Sequence, residues 1–433
     1  MPLSINLHNK KPLYTAIGKE TISGTVTFTS STPTPLSEIR ISLTGRSKAK
    51  IQKTKGAGAP AANYRSKCLL FEREKVLLHT HGGGNGDREG CVLPPGRHEW
   101  GFEFLVPGRT TNTDTTGSPG TGTGMNVKWP ERLPYRSDAA HPLPPTFAVE
   151  MGDAARKISC AVEYRLEARV SKVGGGLFSS RAPLFFEEAR LNVLPEYAIA
   201  DGPENSTQGN GQGDEEIYRQ QKEELFTIRS ALLHPENKGR SLSMTEKLQG
   251  WLAPGQLPRF SFTVGFSYPT RVVQRTPLEC LVDITPHMED SSVTVPPEIL
   301  LQAISITAIS QTAARAAPSL MGSLSAELDE RIEVLAKKAL RMPVSGRVDL
   351  GGVFGALGLG LGQRDVSFRT FNLARTYRFC VFMVLECAGK MSEFKLEDLP
   401  FEVVARVQGQ SEKAELEVER EKREDPPPMY SDV

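Results

Sequence analysis

Hydrophobic and polar residues alternate along much of the first half of the chain. In the segment TISGTVTFTS, Ile22, Val26 and Phe28 fall on one face, with a break in the pattern at Gly24. The segment SEIRISLTGRSKAKI continues the alternation, with apolar residues at Ile39, Ile41 and Leu43 and polar residues between them. A period of two residues is typical of half-buried antiparallel strands. Both segments are therefore predicted to be strands.

The same pattern returns in RHEWGFEFLVPG and in KISCAVEYRLEARV. The alternating apolar positions there are Trp100, Phe102, Phe104, Ile158, Cys160, Val162, Tyr164 and Leu166. A second run of strand-like segments begins near Phe260. Short strands separated by turn residues, without intervening helices, predict an all-β protein with two β-sandwich lobes in tandem.

Composition divides the chain into four parts. We expect a first lobe at 1–197, a linker at 198–255, a second lobe at 256–408 and a flexible tail at 409–433. Within the first lobe, the Gly-, Thr- and Ser-rich loop at about 108–124 has little to bury, so it is predicted to be disordered.

Two segments have the periodicity of a helix. Asp214 is a candidate N-cap for a linker helix at 214–233, whose apolar stripe comprises Ile217, Leu225, Ile228 and Leu232. The stripe is interpreted either as packing against the protein itself or as contact with a membrane or a partner. Segment 325–342 fits a helix or a strand, and its pattern does not decide between them.

The overall charge of the chain does not indicate a class of partner. Among 433 residues, 52 Lys and Arg balance 51 Asp and Glu, so nucleic acid and membranes exert no general attraction. The opening segment MPLSINLHNKKPLY lacks the apolar core of a secretory signal, and the six cysteines form no CxxC pair. We expect a cytoplasmic, reduced protein.

Catalytic signatures are absent from the sequence. It contains no GxSxG elbow, HExxH motif, Walker loop or kinase signature. No cofactor, metal or catalytic residue is predicted, and the protein is expected not to be an enzyme. An enzyme built on a β-sandwich would require titratable groups that converge only in the fold.

A local basic stripe runs through the first lobe. Its members are Arg40, Arg46, Lys48, Lys50, Lys53 and Lys55. The even-numbered members would project together from a strand. They would meet acidic or phosphorylated protein tails or an anionic membrane, or else form an ordinary solvated strand face. Aromatic residues do not interleave with them, so nucleic-acid binding is not predicted.

Several segments, in their order and spacing, resemble the arrestin-like superfamily, in particular its fungal α-arrestin-like branch of trafficking adaptors. They are LYTAIGKETISGTVTFTS, LSEIRISLTGRSKAKI, LPPGRHEWGFEFLVP, LPPTF with ISCAVEYRLEARV, and FRTFNLARTYRFCVFMVLECAGK. The resemblance covers most of residues 1–200 and, more loosely, 256–408. It implies two arrestin-like, immunoglobulin-like lobes. The loop at 108–124 and the long linker depart from the family pattern.

A PPxY motif lies in the segment EDPPPMYSDV, at Pro427, Pro428 and Tyr430. It resembles the ligand of WW domains in HECT-type ubiquitin ligases, and consecutive prolines favour the polyproline II conformation that such domains bind. Leu194, Pro195 and Tyr197, in LPEY, form a weaker variant with the same spacing. This variant is interpreted either as a second WW ligand or as the end of a strand with a buried tyrosine.

Together these features predict a non-enzymatic adaptor. It would bind the cytoplasmic tails of membrane transporters or receptors and recruit a HECT-type ubiquitin ligase for endocytosis or sorting, with transient recruitment to the plasma membrane or endosomes. The alternative is an arrestin-fold signalling or sorting scaffold that does not act through ubiquitylation.

Overall fold

The computed structural model of the chain describes residues 2–16, 20–53, 62–79, 91–111, 133–138, 140–153, 156–171, 183–195, 218–237, 254–319, 322–361 and 365–405. Regular structure in these ranges is almost entirely β, which confirms the predicted all-β fold class. The helical elements of the described part are short. They are three 3-10 turns, Ala231–Leu233, Pro235–Asn237 and Pro254–Gln256, and one five-residue helix, α1 (Leu350–Phe354).

Twelve strands lie in the described residues before position 196. They are β1 (Leu3–Leu7), β2 (Tyr14–Ala16), β3 (Thr21–Ser30), β4 (Thr34–Leu36), β5 (Glu38–Lys53), β6 (Ala62–His79), β7 (Cys91–Leu93), β8 (Gly96–Leu105), β9 (Phe147–Gly152), β10 (Arg156–Ser171), β11 (Phe185–Leu191) and β12 (Val193–Pro195).

Ten further strands follow in the described part of the second half. They are β13 (Arg219–Arg229), β14 (Arg259–Pro269), β15 (Arg271–Val273), β16 (Leu281–His287), β17 (Ile299–Ser319), β18 (Gly322–Val344), β19 (Gly346–Asp349), β20 (Phe368–Arg369), β21 (Leu373–Cys387) and β22 (Lys390–Val404).

The chain divides into two compact units. The first comprises Met1–Ala198, Ile309–Arg331 and Arg364–Tyr377, and the second comprises the remaining residues. The first unit ends its main segment one residue beyond the predicted lobe boundary at 197. It also takes two segments from the predicted second lobe, because the units follow spatial packing whereas the sequence pattern shows only contiguous runs of strands.

Two sheets form the sandwich of the first unit. One has the strand order β1-β3-β8, and the other has the order β11-β10-β5-β6, with β9 also paired to β10. Their inward residues share one hydrophobic core, which includes Ile22 and Phe28 from the first sheet and Ile41 and Tyr164 from the second. The predicted alternation is therefore the alternation of core and surface positions.

The break in the pattern at Gly24 has a steric cause. A Cβ atom on Gly24 would lie 2.4 Å from the backbone oxygen of Asn6 and 2.7 Å from the ring of Phe102. Phe102 on β8 is directly opposite Gly24 in the register with β3. The phenylalanine ring thus fills the inward position that the glycine leaves open.

Aromatic side chains dominate the core of the second unit. Phe260, Phe262, Phe266 and Tyr268 of β14 are fully buried. Tyr268 meets the ring of Phe379 on β21 edge-on at 6.1 Å. Because β14 and β21 belong to different sheets, the second unit also packs sheet against sheet.

The prediction of a linker helix at 214–233 is wrong. Residues Arg219–Arg229 form the strand β13, which pairs antiparallel with β14 over its whole length. Phe226 stacks on Phe262 at 5.6 Å, and Ile228 is buried opposite Phe260. The pairing with β14, which is distant in the sequence, outweighs the local helical periodicity, because that periodicity consisted of a single apolar stripe.

The structure also bears on the predictions for two other segments. Segment 325–342, which fitted a helix or a strand, lies within the strand β18. The first residues of the loop predicted to be disordered at 108–124 are hydrogen bonded: the backbone N–H of Thr110 donates to His141 at 2.9 Å, and that of Thr111 donates to Leu70 at 3.1 Å. The rest of that loop and the predicted tail at 409–433 lie outside the described residues.

Candidate interaction surface

The strand β5 carries most of the predicted basic stripe. It pairs with β10 from Glu38 to Lys53 without a break in register. Its odd-numbered residues Ile39, Ile41 and Leu43 enter the core, so the even-numbered cations share the outward face of the sheet. That face is where the structure places Arg40, Arg46, Lys48 and Lys50. Lys53 is the last residue of the strand, and Lys55 lies outside the described residues.

The positive charge of the basic stripe is neutralised at the start of β5. The guanidinium of Arg40 donates to Glu38 on the same strand at 2.5 Å and to Glu74 on β6 at 2.7 Å. Hydrogen bonds to these two carboxylates contribute to raising the pKa of Arg40, the bond to Glu38 most strongly. Arg40 is therefore not a free cation for a ligand.

A buried carboxylate organises the middle of the sheet face. Glu167 on β10 is 2% exposed and contacts three guanidinium groups. Its oxygens lie 3.2 Å from Arg46, 3.2 Å from Arg165 and 2.5 Å from Arg169. Arg165 also contacts Glu188 on β11 at 2.5 Å. A buried charge requires such compensation, so Arg46 has a structural role here.

Two pairs of like charges face each other nearer the end of β5. In the register with β6, Lys48 is opposite Lys67 and Lys50 is opposite Arg65. Lys48 contacts Glu163 on β10 at 2.5 Å. Within the described residues, the side chains of Lys50, Arg65 and Lys67 form no ion pair, although Glu150 feels the charge of Lys50 and Lys67 feels that of Glu167. Like charges directly opposite each other on a sheet destabilise it. We call Lys48, Lys50, Arg65 and Lys67 the basic patch.

Burial and the surrounding positive charges both lower the pKa of Lys67. Partial burial lowers the pKa of its amine most, and the neighbouring charges of Arg46, Arg165 and Lys48 lower it further. An anion bound at the patch would relieve this repulsion. Sequence reasoning missed Lys67 and Arg65 because they lie on β6, and only the register shows that they oppose β5.

The second predicted WW motif begins in regular structure. Leu194 and Pro195 lie in β12, which pairs in parallel with Thr15 and Ala16 of β2. The side chain of Leu194 is buried. Tyr197 lies outside the described residues, as do Pro427, Pro428 and Tyr430 of the PPxY motif.

A shallow groove of about 420 Å³ lies between β6 and β8. Its lining residues are Arg73, Glu74, Lys75, Glu103, Phe104, Leu105 and Pro107. The charges are of both signs, and Glu74 is already paired with Arg40. This groove does not bring together a nucleophile, a base and an orienting group as a catalytic site would.

The described residues lack two further kinds of feature. They contain no group of three or more His, Cys, Asp or Glu side chains placed to hold a metal ion. None of their helices is long and apolar enough to cross a membrane. The free cysteines are Cys68, Cys160, Cys280, Cys380 and Cys387. Burial raises the pKa of the Cys68 and Cys160 thiols to about 12.

Comparison with known proteins agrees with the fold of the first unit. No curated protein matched the chain. Residues 3–121 match the family model described as Arrestin (or S-antigen), N-terminal domain. That range contains β1 to β8, including the hairpin that carries the basic patch. The match covers 119 of the 433 residues, and it agrees with the all-β fold of the first unit.

Proposed function

We propose that this protein is a non-enzymatic, arrestin-like adaptor that binds membrane-protein cargo and recruits a WW-domain HECT-type ubiquitin ligase through its PPxY motif. The observation that carries the proposal is the arrestin N-terminal domain match at residues 3–121, in the same chain as Pro427, Pro428 and Tyr430. The fold supplies a surface for cargo, and the motif supplies the link to the ligase.

The chemistry of the motif suits a transient contact. A polyproline II helix has three residues per turn, so Pro427 and Tyr430 lie on the same side. The proline rings would fill an aromatic groove and the tyrosine a neighbouring pocket, while Met429 points away. So short a motif buries much less than the ~800 Å² per partner of a stable interface. The affinity is therefore expected to be low and to gain from several linked contacts.

Titration of the full-length chain against an array of isolated WW domains tests the recruitment. We expect saturable binding that Tyr430→Ala weakens by at least about tenfold, since the pocket residue is lost. The matched control is Tyr197→Ala, which alters the tyrosine of LPEY and should leave binding unchanged. Equal binding by the Tyr430→Ala variant and the unmodified chain would contradict ligase recruitment through this motif.

The alternative is an arrestin-fold scaffold that does not act through ubiquitylation. The family match supports this role equally, because it covers residues 3–121 and not the PPxY motif. Ubiquitin transfer to a bound transporter tail, reconstituted with a ligase that binds in the titration, separates the two. Transfer that depends on Tyr430 supports the adaptor, and binding without transfer supports the scaffold.

A further inference from the structure

Strands β6 and β8 each end a sheet of the first unit. They are the last strands in the orders β11-β10-β5-β6 and β1-β3-β8, and no strand of the described residues pairs with their outer sides. The groove of about 420 Å³ lies between these two edges. Its volume is within the range of about 300–1,000 Å³ that is usual for ligand sites. A groove bordered by two unpaired strand edges is a place where a further strand fits.

The backbone of β8 presents hydrogen-bonding groups to the groove. On the other side of the strand, the backbone N–H of Val106 donates to Glu20, the residue before β3, at 3.0 Å. The backbone groups of successive residues point to opposite edges of a strand. Those of Glu103 and Leu105 therefore point to the outer edge, where the groove lies.

The outer edge of β6 already accepts one hydrogen bond from the chain itself. The backbone oxygen of Leu70 accepts the N–H of Thr111 at 3.1 Å, so this oxygen points away from β5. By the same alternation, the backbone groups of every second residue from Glu72 onward point to this edge. Residues 72–76 are all exposed. The edge therefore continues beyond Leu70 as a row of accessible donors and acceptors.

Two cations of β6 point into the groove. In the register with β5, Arg73 is opposite Leu43 and Lys75 is opposite Ile41. Leu43 and Ile41 belong to the core, and directly opposed side chains lie on the same face of a sheet. Arg73 and Lys75 are thus on the core-facing side of β6, yet they are exposed and line the groove. Within the described residues, neither forms an ion pair.

The carboxylates that line the groove do not neutralise these two cations. Glu74 is held by Arg40 on the outward face of β6. Glu103 lies between the buried residues Phe102 and Phe104 of β8, so its side chain is on the outer face of that sheet. The inner part of the groove is therefore positively charged, beside the apolar ring of Phe104.

Charge and backbone together decide what fits the groove. A strand with apolar side chains would bury Arg73 and Lys75 without partners, which is costly. Inward-pointing charges on an edge strand prevent that kind of pairing. A lipid headgroup or a free phosphate would reach the cations but would leave the backbone edge unused. We propose that β6 binds an extended peptide as an added strand, with acidic side chains at alternate positions facing the groove.

The proposed adaptor function supplies the source of this peptide. The inference rests on that function in assigning the groove to an acidic segment in the cytoplasmic tail of a membrane-protein cargo. Side chains two residues apart point to the same face of a strand. The carboxylates opposite Arg73 and Lys75 must therefore be separated by one residue. So short a strand buries little area, and its binding should be weak and reversible.

Titration of fluorescent peptides with the full-length chain, followed by anisotropy, tests the spacing. The probe is a ten-residue peptide of alternating glutamate and threonine. The control peptide has the same composition, but its glutamates are arranged so that no two of them are two positions apart. The alternating peptide should bind saturably and at least about tenfold more tightly than the control, because only its glutamates reach both cations from one face.

Methylation of the peptide backbone tests the strand addition. One version of the alternating peptide carries N-methyl groups on its threonines, and another carries them on its glutamates. An added strand uses the N–H groups of every second residue to pair with β6. Methylation of one set should therefore abolish binding, and methylation of the other set should leave it intact.

Two variants of the chain locate the site. The test variant combines Arg73→Gln and Lys75→Gln. The matched control combines Arg65→Gln and Lys67→Gln, which removes the same charge from the outward face of the same strand. All four side chains are exposed, so both variants should fold normally. The test variant should bind the alternating peptide at least about tenfold more weakly, and the control variant should bind it as the unmodified chain does.

Four results would overturn the proposal. The first is the absence of saturable binding of the alternating peptide at concentrations up to about 1 mM. The second is equal binding of the two peptides, which would show attraction to any anion. The third is a loss in the Arg65 and Lys67 variant as large as in the test variant. The last is an equal effect of the two methylation patterns, which would exclude strand addition.

The test is separate from that of the proposed function. A Tyr430→Ala variant should bind the alternating peptide as the unmodified chain does. The Arg73 and Lys75 substitutions should leave WW-domain binding intact. Failure of one proposal is thus distinguishable from failure of the other.

Discussion

Replacing Glu167 by Gln is expected to lower the free energy of unfolding by about 3 kcal/mol. Glu167 is 2% exposed, and its partners Arg46 and Arg165 have only 11% and 14% of their side chains exposed. The substitution leaves Arg46 without its carboxylate, whereas Arg165 keeps Glu188 at 2.5 Å. Removing one partner of a buried ion pair costs about 3–5 kcal/mol, and the retained contact places this case at the lower end.

The matched control is Glu163→Gln, the same change four residues earlier on β10. Glu163 is 31% exposed, pairs with Lys48, which is 37% exposed, and has a longer contact of 3.7 Å with Arg165. A solvated pair of this kind is worth at most about 1 kcal/mol. Urea unfolding, followed by circular dichroism and tryptophan fluorescence, gives both free energies if the slopes with denaturant agree.

A double-mutant cycle isolates the contact itself. In a chain that already carries Arg46→Gln, the Glu167→Gln change should cost at least about 1 kcal/mol less than in the unmodified chain, because the stranded guanidinium is gone. Equal costs for Glu167→Gln and Glu163→Gln, or additive effects of the Arg46 and Glu167 changes, would refute the role given to the buried carboxylate.

Two further predictions concern the first unit. His141 is fully buried, with Nδ1 3.0 Å from the backbone oxygen of Asp138, and burial is the main cause that lowers its pKa. The contribution of His141 to the free energy of unfolding should therefore be complete above about pH 6.5. As the pH decreases toward the folded-state pKa, the free energy of unfolding should fall by at most about 1.4 kcal/mol per pH unit. His141→Gln should reduce this slope, measured by urea unfolding at several pH values. Gly45→Ala should cost about 1–3 kcal/mol in the same unfolding assay, because the new Cβ would lie 2.6 Å from the Phe71 ring and 2.9 Å from that of Tyr164. Gly101→Ala, whose Cβ meets nothing within 4 Å, should cost nothing, and similar losses at both glycines would contradict the steric argument.

Local alternation was sufficient to predict the strands β3, β5, β8 and β10 of the first unit. Ile158, Cys160 and Val162 are buried as the pattern required, because a strand at the face of a sandwich has only one side toward the core. The same reasoning failed for β13. Most of that strand is exposed on both faces, so its pattern of apolar and polar residues carried little information about the sheet. Its pairing partner β14 also lies about 40 residues further along the chain.

The candidate surface could be predicted only in part. Its β5 cations were evident in the sequence because they lie at alternate positions of one segment. Their partners were not, because Glu163 and Glu167 follow more than a hundred residues later and meet β5 only through the strand register. The cross-strand positions of Lys67 and Arg65 likewise depend on two irregularities in the register between β5 and β6, which a pattern within one strand does not reveal.

The uneven charge along the β5–β6 hairpin also has a consequence for how the molecule approaches a partner. Unpaired cations at one end of the hairpin and neutralised pairs at the other give this sheet face an electric dipole along the strands. In the field outside a negatively charged surface such a dipole experiences a torque, which turns the basic end forward before any contact forms. Orientation during diffusion would then raise the rate of productive encounters, and would do so more strongly at low ionic strength.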